Sequence, residues 1–215
     1  FTAHRVSFVD ESDIIKMRSL GINEVRVPIT WAAFADALAP ISQELYGKHD
    51  PMHTPAVVPD PFYVGNASMV TIPRIMLVGL LDKCRVHGLK VLFDIHTMPG
   101  GSSEGTYNGV WPMPPRFWNS NATVGDTNVT LQEAGLWVAK ALIKWVEELP
   151  ASLQGVVLGL TLMNEPGHMS AILANKFAEE EQILRWFQAA ADAFRVSSLP
   201  GRGVRLYVNM IETAF

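Results

Sequence analysis

The chain has 215 residues, enough for one well-cored domain or a large part of a bigger one. Apolar residues make up 48% and charged residues only 18%, which is a globular and not a disordered composition. A net charge of −4 offers no basic stripe to a nucleic acid, and no apolar run approaches the roughly 20 residues that cross a bilayer.

Asp10 caps a short helix carrying Ile14, Ile15, Arg18 and Leu20, and Gly21 stops it. Glu24-Val25-Arg26-Val27-Pro28-Ile29 reads as a strand. Residues 32 to 70 are rich in proline and small side chains, carry no clear period, and read as a long loop. Residues 72 to 87 are helical, with Pro73 in the first turn and Gly88 as the stop. The lone cysteine, Cys84, falls in this helix as a small core residue and excludes an intrachain disulfide. Lys90-Val91-Leu92-Phe93-Asp94-Ile95-His96 is the next strand, and a second long loop with glycine, proline and tryptophan occupies 97 to 126. Residues 129 to 148 place Leu131, Ala134, Val138, Ala141, Leu142 and Trp145 at helical spacing.

The run Val156-Val157-Leu158-Gly159-Leu160-Thr161-Leu162-Met163 then ends abruptly in Asn164-Glu165-Pro166. It reads as a strand buried on both faces, as in a parallel sheet covered by helices. Residues 174 to 196 are amphipathic, with Phe177, Ile183, Leu184, Phe187, Ala190, Ala191 and Phe194 on one side. A last strand is expected over Val204-Arg205-Leu206-Tyr207-Val208-Asn209-Met210-Ile211.

Alternation of strand and helix is the pattern of a parallel α/β sheet. Two architectures compete, a doubly wound open sheet and part of a (β/α)8 barrel. No Gly-x-Gly-x-x-Gly or phosphate-binding loop follows any strand, so nucleotide binding has no support. A whole barrel takes about 250 residues, whereas about four strands are visible here. The chain reads as roughly half a barrel with two generous loops.

Polar residues at the strands form a set: Arg26 in the first, His96 ending the second, Asn164 and Glu165 ending the third. Alone, Glu165 reads equally well as a first-turn acid favoured by the dipole of the next helix. Successive parallel strands converge on one mouth, however, and a carboxylic acid beside a buried cation and an imidazole suits acid–base chemistry. The aromatic residues Trp31, Tyr107, Trp111, Phe117 and Trp118 either stack on sugar rings or form a satellite core. The strand tips hold no cluster of metal ligands, and no cofactor is implied. Three Asn-x-Ser/Thr sequons, at Asn66, Asn121 and Asn128, favour a secreted or cell-wall protein. The chain starts at Phe1 without a methionine, so its N-terminus reads as an internal cut.

These residues carry a family resemblance. Gly21-Ile22-Asn23-Glu24-Val25-Arg26-Val27-Pro28 resembles the G-x-N-x-V-R-[IV]-P segment of glycoside hydrolase family 5. Residues 88 to 100, from Gly88-Leu89-Lys90 through Asp94-Ile95-His96 to Pro99-Gly100, resemble its G-L-x-V-[LI]-x-D-[LI]-H-x-x-P-G segment. Leu162-Met163-Asn164-Glu165-Pro166 resembles the L-x-N-E-P tip of barrel strand four. Gly100-Gly101-Ser102-Ser103-Glu104-Gly105-Thr106-Tyr107-Asn108-Gly109, with His4, looks most like the exo-β-1,3-glucanase branch.

The resemblance implies a retaining glycosidase acting on a β-glucan polysaccharide or oligosaccharide. It makes Glu165 the acid/base and gives Asn164 a hydrogen bond to the sugar 2-hydroxyl. It has Arg26 hold the nucleophile ionised, and His96 and Asn108 contact the same sugar. Glu104 stands where the branch has asparagine. On this reading, residues 1–215 are one incomplete catalytic domain, an α/β partial TIM barrel of strands two to five. The strand-seven nucleophile then lies outside the chain, and Glu212 is a rim or helix-start residue. Endo-acting β-1,4 or β-1,6 enzymes of the family, or a non-catalytic glucan-binding relative, are the rival readings. Oligomeric state is not legible.

Overall fold

The computed structural model describes residues 9–60, 67–102, 115–119, 123–124, 126–165 and 179–208. Helix α1 (Glu11–Ser19) starts at Asp10, whose carboxylate accepts the Asp13 N–H while the Asp13 side chain accepts the Asp10 N–H. Gly21, at φ +84°, lets the chain turn out of this helix into β1 (Glu24–Thr30). Ile14 of α1 is buried, while Ile15 and the C-cap residue Leu20 face solvent.

The described part of the segment expected to be a featureless loop is ordered. A 3-10 helix (Trp31–Leu38) follows β1 directly, then the single-turn helix α2 (Gln43–Tyr46) and an antiparallel hairpin of β2 (Val57–Asp60) and β3 (Ala67–Val70). Each piece is too short for a period to emerge from the sequence. Burial holds them instead, with Trp31, Phe34, Leu38, Tyr46 and Val58 each at most 1% exposed.

Helix α3 (Arg74–Val86) begins immediately after Pro73 and turns at Gly88 into β4 (Lys90–Thr97). Helix α4 (Leu131–Glu148) is opened by a reciprocal Thr130–Glu133 cap, and the short α5 (Ala151–Gln154) leads into β5 (Val157–Thr161). Helix α6 (Glu180–Arg195) precedes β6 (Arg205–Tyr207). In α6 the buried positions are Ile183, Trp186, Ala190 and Phe194, while Leu184 is turned to solvent. A tryptophan three residues past Ile183 takes the core-facing stripe that Leu184 was expected to share.

The main sheet runs β1-β4-β5-β6, every pairing parallel. Spatial order therefore follows chain order, with α3, α4 and α6 as the crossovers. A doubly wound sheet reverses its strand order at a switch point, and this one does not. That settles the architecture as part of a (β/α)8 barrel.

Along β1 and β4 the side chains alternate. Val25, Val27, Ile29, Val91, Phe93 and Ile95 face the helices, and Phe93 meets Trp145 of α4 edge-on with ring centres 5.5 Å apart. Arg26, Pro28, Leu92, Asp94 and His96 occupy the opposite face, where the site is built. Cys84 of α3 is buried, and burial pushes its thiol above the usual range.

Two glycines are fixed by close approach. In β5 a Cβ on Gly159 would lie 2.5 Å from the Arg205 carbonyl oxygen of β6. In α4 a Cβ on Gly135 would lie 2.4 Å from the ring of Phe117, itself fully buried against Trp118 and Trp186. Gly135→Ala recovers about 1 kcal/mol of helix propensity but overpacks a rigid aromatic cluster at a cost of about 1–3 kcal/mol. The expected result is a lower unfolding midpoint in the full-length protein, and an unchanged or raised midpoint would disprove the packing argument.

Candidate active site

Four side chains close a ring above the sheet. Arg26 reaches across from β1, and its Nη2 donates to Asp94 Oδ2 at 2.9 Å and also to Asn164 Oδ1. The same Asp94 oxygen lies 2.8 Å from His96 Nδ1, and His96 Nε2 lies 3.5 Å from Asn164 Nδ2. Asp94 and His96 are two apart on β4 and share a face for that reason. Asn164 stands past the end of β5, yet its backbone N–H donates to the Ile95 carbonyl at 2.8 Å, which pins the strand tip beside His96.

Burial divides the ring. Asp94 and Asn164 are sealed, whereas the Arg26 and His96 side chains are 39% and 34% exposed and face the open side. The cation was expected to be buried. Among the described residues β1 has a strand neighbour on one side only, so nothing roofs its guanidinium. The second carboxylate oxygen of Asp94 has no hydrogen-bond partner among the described residues, nor do the buried hydroxyls of Thr30, Thr97 and Ser102. These lie at or near the C-terminal ends of β1 and β4.

Glu165 follows Asn164 directly, half-buried, with no described hydrogen bond or ion pair on its carboxyl. Its φ is +28°, alone among the described non-glycine residues in being positive. Left-handed backbone at such a residue costs on the order of 1–3 kcal/mol, and it opposes the extended bias of a residue before proline. Strain of this kind concentrates at working residues.

Asp94 is the site residue that sequence reasoning passed over. The available signal was an acid inside an apolar strand, costly to bury unless paired. A second buried acid, Asp60 of β2, accepts the Gly100 N–H at 3.1 Å and so ties the hairpin to the loop after His96. Successive positive φ values at Gly100 and Gly101 make that turn. Burial, and secondarily the Asp60 charge, pushes the Tyr46 hydroxyl well above its usual range.

Three of the five candidate stacking rings are core. Trp31, Phe117 and Trp118 are at most 1% exposed, and Trp118 Nε1 donates to the Ser102 carbonyl at 2.7 Å. They belong to the main hydrophobic core and present no face to a sugar. Asn108, Tyr107, Trp111, Glu104, His4, Glu212 and the sequon residues Asn66 and Asn121 lie outside the described residues, as does the chain beyond 208. An apolar groove of about 790 Å3, walled by Val25, Val27 and Ile29 with Met17 of α1 and Met76 and Leu80 of α3, lacks Asp94, His96, Asn164 and Glu165. It is a gap beside β1 that meets the polar ring only at Arg26.

With the ring in view, likeness to known proteins can be weighed. No family model matches the chain. In sequence it is 25% identical over 165 residues to a glucan 1,3-beta-glucosidase of Blumeria graminis, covering 77% of this chain and 29% of that protein. It is 28% identical over 163 residues to a probable glucan 1,3-beta-glucosidase of Arthroderma benhamiae, covering 76% and 30%. The matched part is about 30% of the length of these relatives.

A crystal structure described as a glycoside hydrolase superposes with a TM-score of 0.51 at 11% identity, over 93% of this chain and 47% of that one. At that identity the likeness speaks for the fold. It agrees with the sequential parallel sheet in giving part of a (β/α)8 barrel, and the sequence relatives bear out the resemblance to glucan 1,3-β-glucosidases. No described helix is long and apolar enough to cross a membrane, and no cluster of three or more metal-ligating side chains occurs among the described residues.

Proposed function

We propose that this chain carries the acid/base half of a retaining β-glucan hydrolase, most specifically a glucan exo-1,3-β-glucosidase. The observation that carries the reading is the ring of Arg26, Asp94, His96 and Asn164 with the strained Glu165 beside it. Support also comes from the printed names of the sequence relatives. The unsatisfied hydroxyls of Thr30, Thr97 and Ser102 suit a rim that ordered water completes.

Glu165 protonates the glycosidic oxygen as the bond to the leaving sugar breaks, and as a carboxylate it later takes a proton from the attacking water. Its carboxyl, unpaired among the described residues, is free for that exchange. Asn164 bonds the sugar 2-hydroxyl, His96 and Asn108 hold the same sugar, and Arg26 keeps the nucleophile ionised. The nucleophile must face Glu165 across the sugar at about 5–5.5 Å. We assign it to a barrel strand beyond these 215 residues, which makes the chain one incomplete domain. The chemistry needs no metal or cofactor. A secreted or cell-wall location fits this substrate, and Asn128, the sequon asparagine within the described residues, is exposed.

The test is the full-length protein on β-1,3-, β-1,4- and β-1,6-glucans, with the first product's anomeric configuration followed by NMR. Release of β-glucose from the β-1,3 polymer is expected. An α-configured first product would sink the retaining mechanism, mixed oligosaccharides the exo assignment, and binding without hydrolysis the enzyme.

A further inference from the structure

We propose that Asp94 fixes which nitrogen of His96 carries its proton, and so makes the Nε2 atom of His96 a hydrogen-bond acceptor. The argument starts at Arg26, whose guanidinium has donors and no acceptor. The Asn164 atom it reaches is therefore the amide oxygen, and the amide nitrogen, a pure donor, is the atom turned toward His96 Nε2. Facing a donor, Nε2 presents its lone pair, and the ring proton belongs on Nδ1. Nδ1 lies 2.8 Å from Asp94 Oδ2, a carboxylate acceptor.

All four contacts of the ring are donor to acceptor in this one arrangement. An Nε2–H tautomer would set N–H against N–H at Asn164 and a lone pair against the carboxylate. A doubly protonated imidazole would keep the first of those clashes. The polarity is thus dictated from Arg26 around the ring, with Asp94 as the group that receives both donors on one oxygen.

Asp94 is fully buried, and Arg26 and His96 both engage its Oδ2. It acts through His96 and Arg26 and is a positioning residue. What His96 then does rests on the proposed function: at the partly exposed mouth a sugar hydroxyl donates to Nε2 in place of the long 3.5 Å Asn164 contact, and the imidazole accepts a hydrogen from the sugar instead of donating one. The sugar's hydroxyl is oriented by this polarity, which a histidine in the other tautomer would reverse.

Selective 15N-histidine labelling of the full-length protein reads the tautomer directly, with the His96 signal assigned by its loss in His96→Gln. The Nδ1–H form is expected in the unsubstituted protein, and finding Nε2–H overturns the proposal without any further variant. Asp94→Leu removes the acceptor while keeping the branching at Cγ and should release the tautomer, whereas Asp94→Asn keeps one acceptor oxygen and should retain it. An Asp94→Leu protein that folds with the tautomer unchanged would also overturn the proposal.

In glucan hydrolysis Asp94→Leu should lower kcat/KM about 10- to 100-fold, as expected for losing one hydrogen bond to a charged group, and Asp94→Asn should lose less. Equal losses would count against the acceptor role. The tautomer is read without turnover. A protein silent on every glucan would therefore sink the proposed function and leave this inference standing, and the wrong tautomer in an active enzyme would do the reverse.

Discussion

Replacing Glu165 by glutamine in the full-length protein should lower hydrolysis of unactivated β-1,3-glucan by about 10²- to 10⁴-fold, the usual share of a general acid–base group. Glutamine keeps the shape and the hydrogen-bonding reach but has no proton to give the departing oxygen. Aryl glucosides with good leaving groups should lose far less in the first step, because their oxygens need little protonation. Azide should then rescue the second step, attacking without a base and yielding the β-glycosyl azide. Near-normal turnover of glucan by Glu165→Gln would remove Glu165 from the mechanism. Its positive φ would then have to be explained by the local turn alone.

The 215 residues expressed alone should be silent toward laminarin-type glucan and should self-associate. The sheet has two edges, β1 and β6, each paired on one side only among the described residues. On β1, Glu24, Arg26 and Pro28 are exposed on the face a closed barrel would enclose. Open edges recruit other strands, and a core that ends at such an edge offsets less of the entropy of ordering the chain. Size-exclusion chromatography and a reducing-sugar assay would check both parts. A monodisperse, active monomer would overturn the half-barrel reading and make Glu212 the first candidate nucleophile to substitute.

Much of the fold was legible because its signals are local. Capping residues Asp10 and Thr130, the stops Gly21 and Gly88, and the two periods of strand and helix each act within a few residues. The strand expected to be buried on both faces, β5, has every residue buried or nearly so. What failed was also of one kind. The 3-10 helix after β1 and the β2–β3 hairpin are short pieces held by Trp31, Phe34, Tyr46 and Val58 packing against distant parts of the chain. Their order comes from burial and cannot be read from spacing.

The site divides the same way. Sequence alone determined that Arg26, His96, Asn164 and Glu165 stand on or at the ends of parallel strands, because residue types and strand ends are local facts. Only the tertiary structure decided that Asp94 joins them, that Arg26 reaches Asn164 across an intervening strand, and that Trp31, Phe117 and Trp118 are core. Those outcomes depend on register and burial between segments as many as 138 residues apart. Such distances carry no period, so nothing in the linear order could fix them.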